Sequence, residues 1–241
     1  MKPFTLRRQR GFSLIELMVV LLLLSVLMGA VFRQISQVQA RAGTEQSRLD
    51  LFQESREFVD QMARDLRGAG YPNIRNYATV LTNNDPNIAV GLVKADVNEL
   101  RFEGDVDGDG QVDSLVYGYA STGNNCPCLQ RSQVAKINAD PLTGQGTSYA
   151  LEVQNVQNGT SSDPIFRAFD AAGNEVTLPV DINSNASAIA KIKTIQISLT
   201  VQARNPDVET HQRPRTTVRT TIRLPNCSSA AVGQAMSCRP S

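Results

Sequence analysis

Residues 7–32 read RRQRGFSLIELMVVLLLLSVLMGAVF, and this stretch fixes where the rest of the chain lies. From Phe12 to Phe32 the only charged residue is Glu16, so the apolar run meets the roughly 20 residues that a helix needs to cross a bilayer. Basic residues crowd only the upstream side of the run, at Lys2, Arg7, Arg8 and Arg10. By the positive-inside rule they hold that end in the cytoplasm. We therefore expect one membrane helix, with the remainder of the chain on the far side of the membrane.

The apolar run does not have the pattern of an ordinary secretory signal, which has a core of about 7 to 15 residues and a small-x-small cleavage site. Leu27 and Met28 stand two residues before Gly29 and Ala30, and neither is small. A cut before the run fits better. The string from Gly11 to Glu16, GFSLIE, lies behind a short basic leader and ahead of a long apolar helix. It resembles the processing site of type IV prepilins.

This resemblance implies roles for three residues. Gly11 is the cleavage residue, Phe12 becomes the N-methylated first residue after a membrane peptidase has cut, and Glu16 is the glutamate at the fifth position. A carboxylate in a membrane helix costs about 2.5 to 3.5 kcal/mol on insertion scales, so Glu16 requires a partner. The amine of Phe12 on a neighbouring copy is the expected one, because attraction at ~4 Å amounts to about 4 kcal/mol at an effective dielectric constant near 20. Glu16 then sets the stagger between subunits.

The helix is expected to continue beyond the membrane, because no proline occurs between Phe12 and Tyr71. Apolar or small residues recur at helical spacing along one stripe, at Ile35, Val38, Ala42, Leu49, Phe52, Val59, Ala63 and Leu66. Glycine and proline end the helix in the phrase RDLRGAGYP, residues 64–72. This phrase resembles the end of the first helix in PilW-like minor pilins, where an arginine, an aspartate and a glycine-tyrosine pair occur.

Beyond Tyr71 the pattern changes from helical to alternating, which indicates strands. Residues 73–96 are predicted to be loop with one short strand at 88–93. Further strands are predicted at 99–103, 114–120, 129–134, 149–156, 165–169, 175–178, 192–201 and 215–224. Strands of this kind, with one polar and one apolar side, predict an antiparallel sheet whose buried face the helix covers.

The expected fold class is therefore α+β and type IV pilin-like, with a long N-terminal helix packed on an antiparallel sheet domain. The expected segments are a leader at 1–11, a membrane and polymerisation helix at 12–32, an amphipathic continuation at 33–70, and a sheet domain at 71–241.

An acidic turn is the sharpest local pattern outside the helix. Carboxylates occur at Asp105, Asp107, Asp109 and Asp113, with Gly110 at the sixth position and the backbone carbonyl of Gln111 at the seventh. Alternating oxygen ligands around a tight turn converge on one point, as Ca²⁺ requires. The twelfth position is Val116 instead of glutamate, so the pattern is that of a short extracellular calcium loop between strands. The alternative is an acidic turn whose carboxylates are merely solvated.

Four cysteines lie on the side of the membrane where disulfides persist. The spacing of Cys227 and Cys238 suits a C-terminal staple, a feature also seen in pilins. Cys126 and Cys128 either form a local bridge or pair with the C-terminal two. A structural role is expected for all four, because C-x-C is too short for a redox C-x-x-C pair and the dispersed order matches no zinc pattern.

Charge and composition argue against catalysis and nucleic-acid binding. Without the leader, the chain has 20 basic and 23 acidic residues, a net charge of −3. The row Arg215, Arg219 and Arg223 could meet DNA phosphates, as in competence pilins, but the acidic charge and the lack of interleaved aromatic residues favour a solvated sheet face. His211, the only histidine, stands in a polar loop without a nucleophile beside it, and no phosphate-binding loop occurs.

The function that follows from the resemblance is that of a PilW-like minor pilin. It would be held in the inner membrane, cut by the prepilin peptidase, and assembled with major and minor pilins on the inner-membrane platform, at or near the tip of a surface pilus. One alternative is a pseudopilin of type II secretion, which uses the same leader. Another is a membrane-anchored calcium-binding module that never polymerises.

Overall fold

A computed structural model describes residues 13–72, 85–207 and 210–227, without the side chains of Ser47 and Cys227. Its first element is α1, Leu14–Gly68, which has 55 residues. At 1.5 Å per residue this helix is about 82 Å long. It ends where the sequence predicts, because Gly70 adopts the left-handed conformation (φ 79°) that glycine permits and the next proline prevents continuation.

Ten strands and a short helix follow α1 within the described residues. The strands are β1 (Leu92–Ala95), β2 (Glu99–Gly104), β3 (Asp113–Ala120), β4 (Cys128–Ala135), β5 (Tyr149–Gln154), β6 (Phe166–Phe169), β7 (Glu175–Val176), β8 (Val180–Asp181), β9 (Thr194–Gln202) and β10 (Arg215–Arg223). A short helix, α2 (Ala186–Lys191), lies between β8 and β9, and one 3₁₀ turn (Pro225–Cys227) follows β10.

The strands form two antiparallel sheets, where the sequence predicted one. The larger sheet has the order β5-β4-β3-β2-β1-β8, and the smaller has the order β10-β9-β6-β7. The division arises because β6 pairs with β9, about thirty residues further along the chain, instead of extending the sheet from β5. Strand alternation shows which face of a strand is buried and does not show which distant strand it pairs with.

The core lies between the last third of α1 and both sheets. Phe58, Val59, Met62 and Leu66 of the helix are buried there, against strand residues that include Phe102. The upper part of the predicted helical stripe does not pack in this way. Ile35, Val38, Leu49 and Phe52 are 46, 62, 54 and 41% exposed. The helix thus enters the core only from about Leu51 onward. Before Leu51, residues 39–48 line open cavities against the end of β9 and the connection to β10, without being buried in the core.

Most strand predictions are confirmed, and the errors fall in short or irregular segments. The strand expected at 88–93 is β1, four residues long and further on, at Leu92–Ala95. The strand expected at 175–178 is only two residues long. The sequence analysis missed β8 and α2, which are too short for periodicity to reveal. Part of the loop predicted at 73–96 lies outside the described residues.

Candidate functional site

The N-terminal half of α1 exposes an unbroken apolar surface. Every large apolar side chain from Leu14 to Phe32 is at least 49% exposed. Within the described residues, α1 is the helix long and apolar enough to cross a membrane. Water tolerates no apolar surface of this extent, so lipid or other protein must cover it.

Glu16 lies in the first turn of this helix and is exposed. The backbone N–H groups of Glu16 and Leu17 donate to the carbonyl of Ser13, at 3.0 and 3.1 Å, so the helix is regular at this point. A carboxylate in the first turn is favoured by the helix dipole. Gly11 and Phe12 lie outside the described residues, so their predicted roles in cleavage and methylation stay predictions.

The acidic turn joins β2 to β3 at the C-terminal end of α1. One carboxylate oxygen from each of Asp105, Asp107 and Asp109 lies within 4.8 Å of the others. Gly108 and Gly110 have φ angles of 78° and 87°, which only glycine adopts without strain, and they fold the turn. The predicted ligands in the first half of the turn are therefore brought together by its backbone.

Backbone amides already hold these carboxylates in place. The N–H groups of Gly108 and Gly110 donate to the two oxygens of Asp105, at 2.8 and 3.2 Å. The N–H of Gln111 donates to Asp109 at 2.7 Å. An ionised carboxylate offers about four lone-pair sites, so these bonds leave acceptors for a cation. The donor set of three hard oxygens fits Ca²⁺ chemistry.

Asp113 has different surroundings from the other three aspartates. It is buried at the start of β3, and its Oδ2 accepts a hydrogen bond of 2.8 Å from the Gln133 amide of β4. Burial raises the pKa of Asp113 to about 6; Gln133 opposes the rise, and the carboxylates of the turn add to it. The same Gln133 amide lies 3.2 Å from Asp107 Oδ2. Gln133, which the sequence analysis missed, therefore links the two parts of the predicted site.

A buried polar cluster lies where the helix meets the larger sheet. The Tyr117 hydroxyl donates to Asp65 Oδ2 at 2.5 Å, and Arg131 Nε donates to the same oxygen at 2.8 Å. Burial, and then the Asp65 carboxylate, raise the pKa of Tyr117, so its hydroxyl stays protonated and donates. Gln61 donates to the other Asp65 oxygen at 2.8 Å. This cluster fixes the helix on the sheet at one point.

A second buried ion pair lies on the opposite face of the larger sheet. Lys136 Nζ is 2.9 Å from Glu103 Oε2, and both side chains are completely buried. Lys136 also donates to the carbonyl of Ile88 at 2.8 Å, and the Val90 N–H donates to Glu103 Oε2 at 3.0 Å. The pair therefore fastens residues 88–90 to the sheet. Loss of either partner would leave an uncompensated charge buried in the same place, which is strongly unfavourable.

The cysteines are only partly within the described residues. Cys126 and Cys128 form a disulfide in the connection between β3 and β4, which is the local pairing among those that the sequence left open. Cys238 and the side chain of Cys227 lie outside the described part, so their pairing stays a prediction. The other polar features noted in the sequence are exposed, including His211 and the arginines of β10.

Comparison with known families bears on the N-terminal segment. The family model of the prokaryotic N-terminal methylation motif matches residues 6–32. The match supports a type IV pilin-like precursor. No curated protein matches the chain. The matched segment contains Gly11, Phe12 and Glu16 and the apolar part of α1, and it implies processing by a prepilin peptidase and assembly with other pilins.

The buried polar residues that hold the helix and the sheets together were not predicted from the sequence. The sequence did indicate that Asp65 is buried. It is a charged residue on the apolar stripe of the helix, three positions after Met62 and six after Val59. Such a residue needs a buried partner. Lys136 and Glu103 gave no comparable signal, because each lies within one residue of the end of a strand, where the alternating pattern stops.

Proposed function

We propose that the protein is a minor pilin of the PilW kind, which helps to initiate a type IV pilus or forms part of its tip complex. One observation carries the proposal. A methylation motif begins a helix whose residues 14–32 expose apolar side chains, apart from Glu16 and Ser25, and whose last third is fixed to a folded domain. Such a chain is suited to leaving the bilayer and packing its helix among those of other subunits.

The proposal implies a definite course for the chain. The basic leader stays cytoplasmic and the sheet domain lies in the periplasm. The prepilin peptidase cuts after Gly11 and methylates Phe12, and the assembly platform of the inner membrane then transfers the subunit to a filament of major and minor pilins. The role is structural, without a catalytic step.

Processing at Gly11 tests the assignment directly. We expect Gly11→Leu to leave an uncut chain in the inner membrane, because the peptidase must approach the backbone at this residue. The matched control is Gly29→Leu, since Gly29 is a helix glycine with open space around it and should not affect cleavage. Mass spectrometry of the N-terminus is the measurement, and a mature chain beginning at Phe12 in Gly11→Leu would defeat the assignment.

A type II secretion pseudopilin is the nearest alternative, because it carries the same kind of leader. The products of neighbouring genes distinguish the two assignments. A filament retraction motor and other minor pilins favour a pilus, and a secretin with secretion-system components favours a pseudopilus.

The acidic turn supports a second, compatible activity, which is calcium binding. Asp105, Asp107 and Asp109 present three carboxylate oxygens to one point, and Asp113 lies beyond them. Three carboxylates so close together repel each other unless a cation is bound. If the chain instead never polymerises, this turn is the working part of a membrane-anchored module, and Glu16 then has no role.

A further inference from the structure

The outer face of the smaller sheet carries a row of arginines without counter-charge. Arg215, Arg219 and Arg223 stand at every fourth position of β10 and are exposed. Neighbours in the row are about 13 Å apart along the strand. No carboxylate of the described residues forms an ion pair with any of the three. Arg219 is held in place because its Nε donates to Ser198 Oγ at 3.2 Å. We call these three residues the arginine face.

A second surface carries the opposite charge. Glu54 and Glu57 of α1 and Glu152 of β5 line an open cavity of about 360 Å³ between the helix and the larger sheet. Like the arginines, these three glutamates form no ion pair with any cation of the described residues. We call them the acidic flank.

Two arginines also line this cavity, and both are already bound within the chain. Arg131 pairs with the buried Asp65 at 2.8 Å. Arg64 donates to Gln61 at 2.6 Å. The charge of Arg131 acts on Glu152 but is balanced by Asp65, whereas the neutral Gln61 leaves Arg64 charged. Three carboxylates thus face one uncompensated cation, and the cavity keeps an excess of negative charge that a cation from outside can balance. A guanidinium group suits them, because it forms charge-assisted bonds to more than one carboxylate at once.

The two surfaces lie on different sheets of one molecule and form no ion pair with each other. The acidic flank lies beside β5, at the edge of the larger sheet, whereas the arginine face lies on the smaller sheet. Val218 and Ile222, which alternate with the arginines along β10, face the core. Arg219 and Arg223 thus lie on the face of β10 away from the core, whereas Arg215 lines an open cavity with Arg48 of α1. Complementary surfaces at two different places on one chain form a head-to-tail contact between copies, which extends into a ring or a filament.

We propose that the arginine face of one copy docks on the acidic flank of the next, with Arg219 entering the cavity between Glu54, Glu57 and Glu152. This inference rests on the proposed function, a subunit that assembles, and adds the surfaces through which folded domains touch. The contact involves exposed charges, so it is selective and sensitive to salt.

Charge reversal in the purified, uncut full-length chain tests the contact. Sedimentation in detergent micelles at low and high salt measures self-association. We expect Arg219→Glu alone and Glu57→Arg alone each to weaken association by about tenfold at low salt, because like charges then face each other. An equimolar mixture of the two variants should associate as the natural chain does, since each contact again pairs opposite charges. The matched control is Lys191→Glu, an equal charge change at an exposed residue of α2 that belongs to neither surface.

Covalent capture provides the second measurement. Arg219→Lys keeps the charge and supplies an amine that a carbodiimide couples to a touching carboxylate with loss of water. In a mixture of ¹⁴N and ¹⁵N chains, we expect mass spectrometry to find residue 219 joined to Glu54, Glu57 or Glu152 in peptides of mixed isotope. A cross-link of mixed isotope joins two different copies, and the linked residues identify the two surfaces that touch.

Several outcomes would overturn the inference. It is overturned if the mixture of reversed variants stays dissociated, or if no mixed-isotope link forms at residue 219. It is also overturned if Arg219→Glu changes association while Glu57→Arg does not. The last result would show that the arginine face binds another anionic partner, such as an acidic protein or a nucleic acid. Because the chain is uncut and no peptidase or filament is present, these results are independent of the Gly11 test of the proposed function.

Discussion

The side-chain amide of Gln133 donates a hydrogen bond of 2.8 Å to the carboxylate of Asp113. Its carbonyl oxygen accepts from Arg131 at 2.7 Å, and Arg131 in turn pairs with Asp65 of α1. A continuous chain of side chains thus runs from the acidic turn, across β4, to the long helix. The part of the domain that we propose to bind calcium is mechanically joined to the element that we propose to enter the filament.

Calcium should stabilise the protein through the acidic turn. A ligand that binds only the folded state adds RT ln(1 + [L]/Kd), which is about 1.8 kcal/mol for a Kd of about 10⁻⁴ M and about 2 mM calcium. We expect a rise of several degrees in the melting temperature of the full chain in detergent. The rise should disappear in Asp107→Ala and be nearly absent with Mg²⁺, which demands octahedral geometry.

The matched control for this experiment is Asp170→Ala. Asp170 also accepts backbone N–H bonds in an exposed turn, from Ala172 and Asn174, but lies away from the acidic turn. Its loss should lower the melting temperature and leave the calcium shift intact. Equal calcium shifts in Asp107→Ala and the natural chain, or none in either, would mean that the acidic turn only connects two strands.

Glu16→Ala should be processed normally and enter filaments poorly. The expected partner of Glu16 is the amine of Phe12 on a neighbouring copy, and this attraction is lost in the variant. The amount of the protein in sheared filaments is the measurement, compared with its amount in the membrane. Ser25→Ala is a control at another polar position of the same helix, where the hydroxyl bonds only to the Leu22 carbonyl. Unchanged recovery of Glu16→Ala would contradict the assembly role.

Asp65→Asn should destabilise the domain by about 2 to 3 kcal/mol. Its carboxylate accepts bonds from Tyr117 and Arg131 in a buried site, and hydrogen bonds to charged groups are worth about 1.5 to 3 kcal/mol each. Urea unfolding followed by near-ultraviolet circular dichroism, which reports on tyrosine packing, is the measurement. Asp60→Asn is the control on the same helix, since Asp60 is 58% exposed and lies 3.9 Å from Arg56. We expect it to cost less than about 1 kcal/mol, and equal effects would refute the buried role of Asp65.

Lys136→Met should make stability depend on pH through Glu103. Burial raises the pKa of Glu103 above its ordinary 4.5, and Lys136 opposes the rise. Without the lysine, the folded state binds the proton more tightly than the unfolded state does. Stability should therefore be greatest below about pH 4.5 and fall as pH rises through the pKa of the folded state.

At neutral pH the loss in Lys136→Met should be about 3 to 5 kcal/mol, because an uncompensated carboxylate is buried. Unfolding of the full chain between pH 4 and 8 is the measurement. The double variant Glu103→Gln with Lys136→Met is the control and should lack this pH dependence. If Lys136→Met alone had the same pH profile as the double variant, Glu103 would not be the titrating group.

The sequence by itself determined the features that depend on local order along the chain. The apolar run, the lack of proline and the glycines near Gly68 predict a helix of the observed length. Alternation of polar and apolar residues predicts most of the strands, and the spacing of Asp105, Asp107 and Asp109 predicts their convergence. Each signal lies within a few residues, where the geometry of a helix, strand or turn fixes the outcome.

Only the tertiary structure decided how distant segments meet. It divided the strands into two sheets by pairing β6 with β9, and it confined the core contacts of the helix to the region from about Leu51 onward. It also brought Asp65 to Tyr117 and Arg131, which are 52 and 66 residues away in sequence. The cause is that a buried charge is tolerable only where partners converge on it from several elements, and pairing across such separations leaves no periodic trace in the sequence.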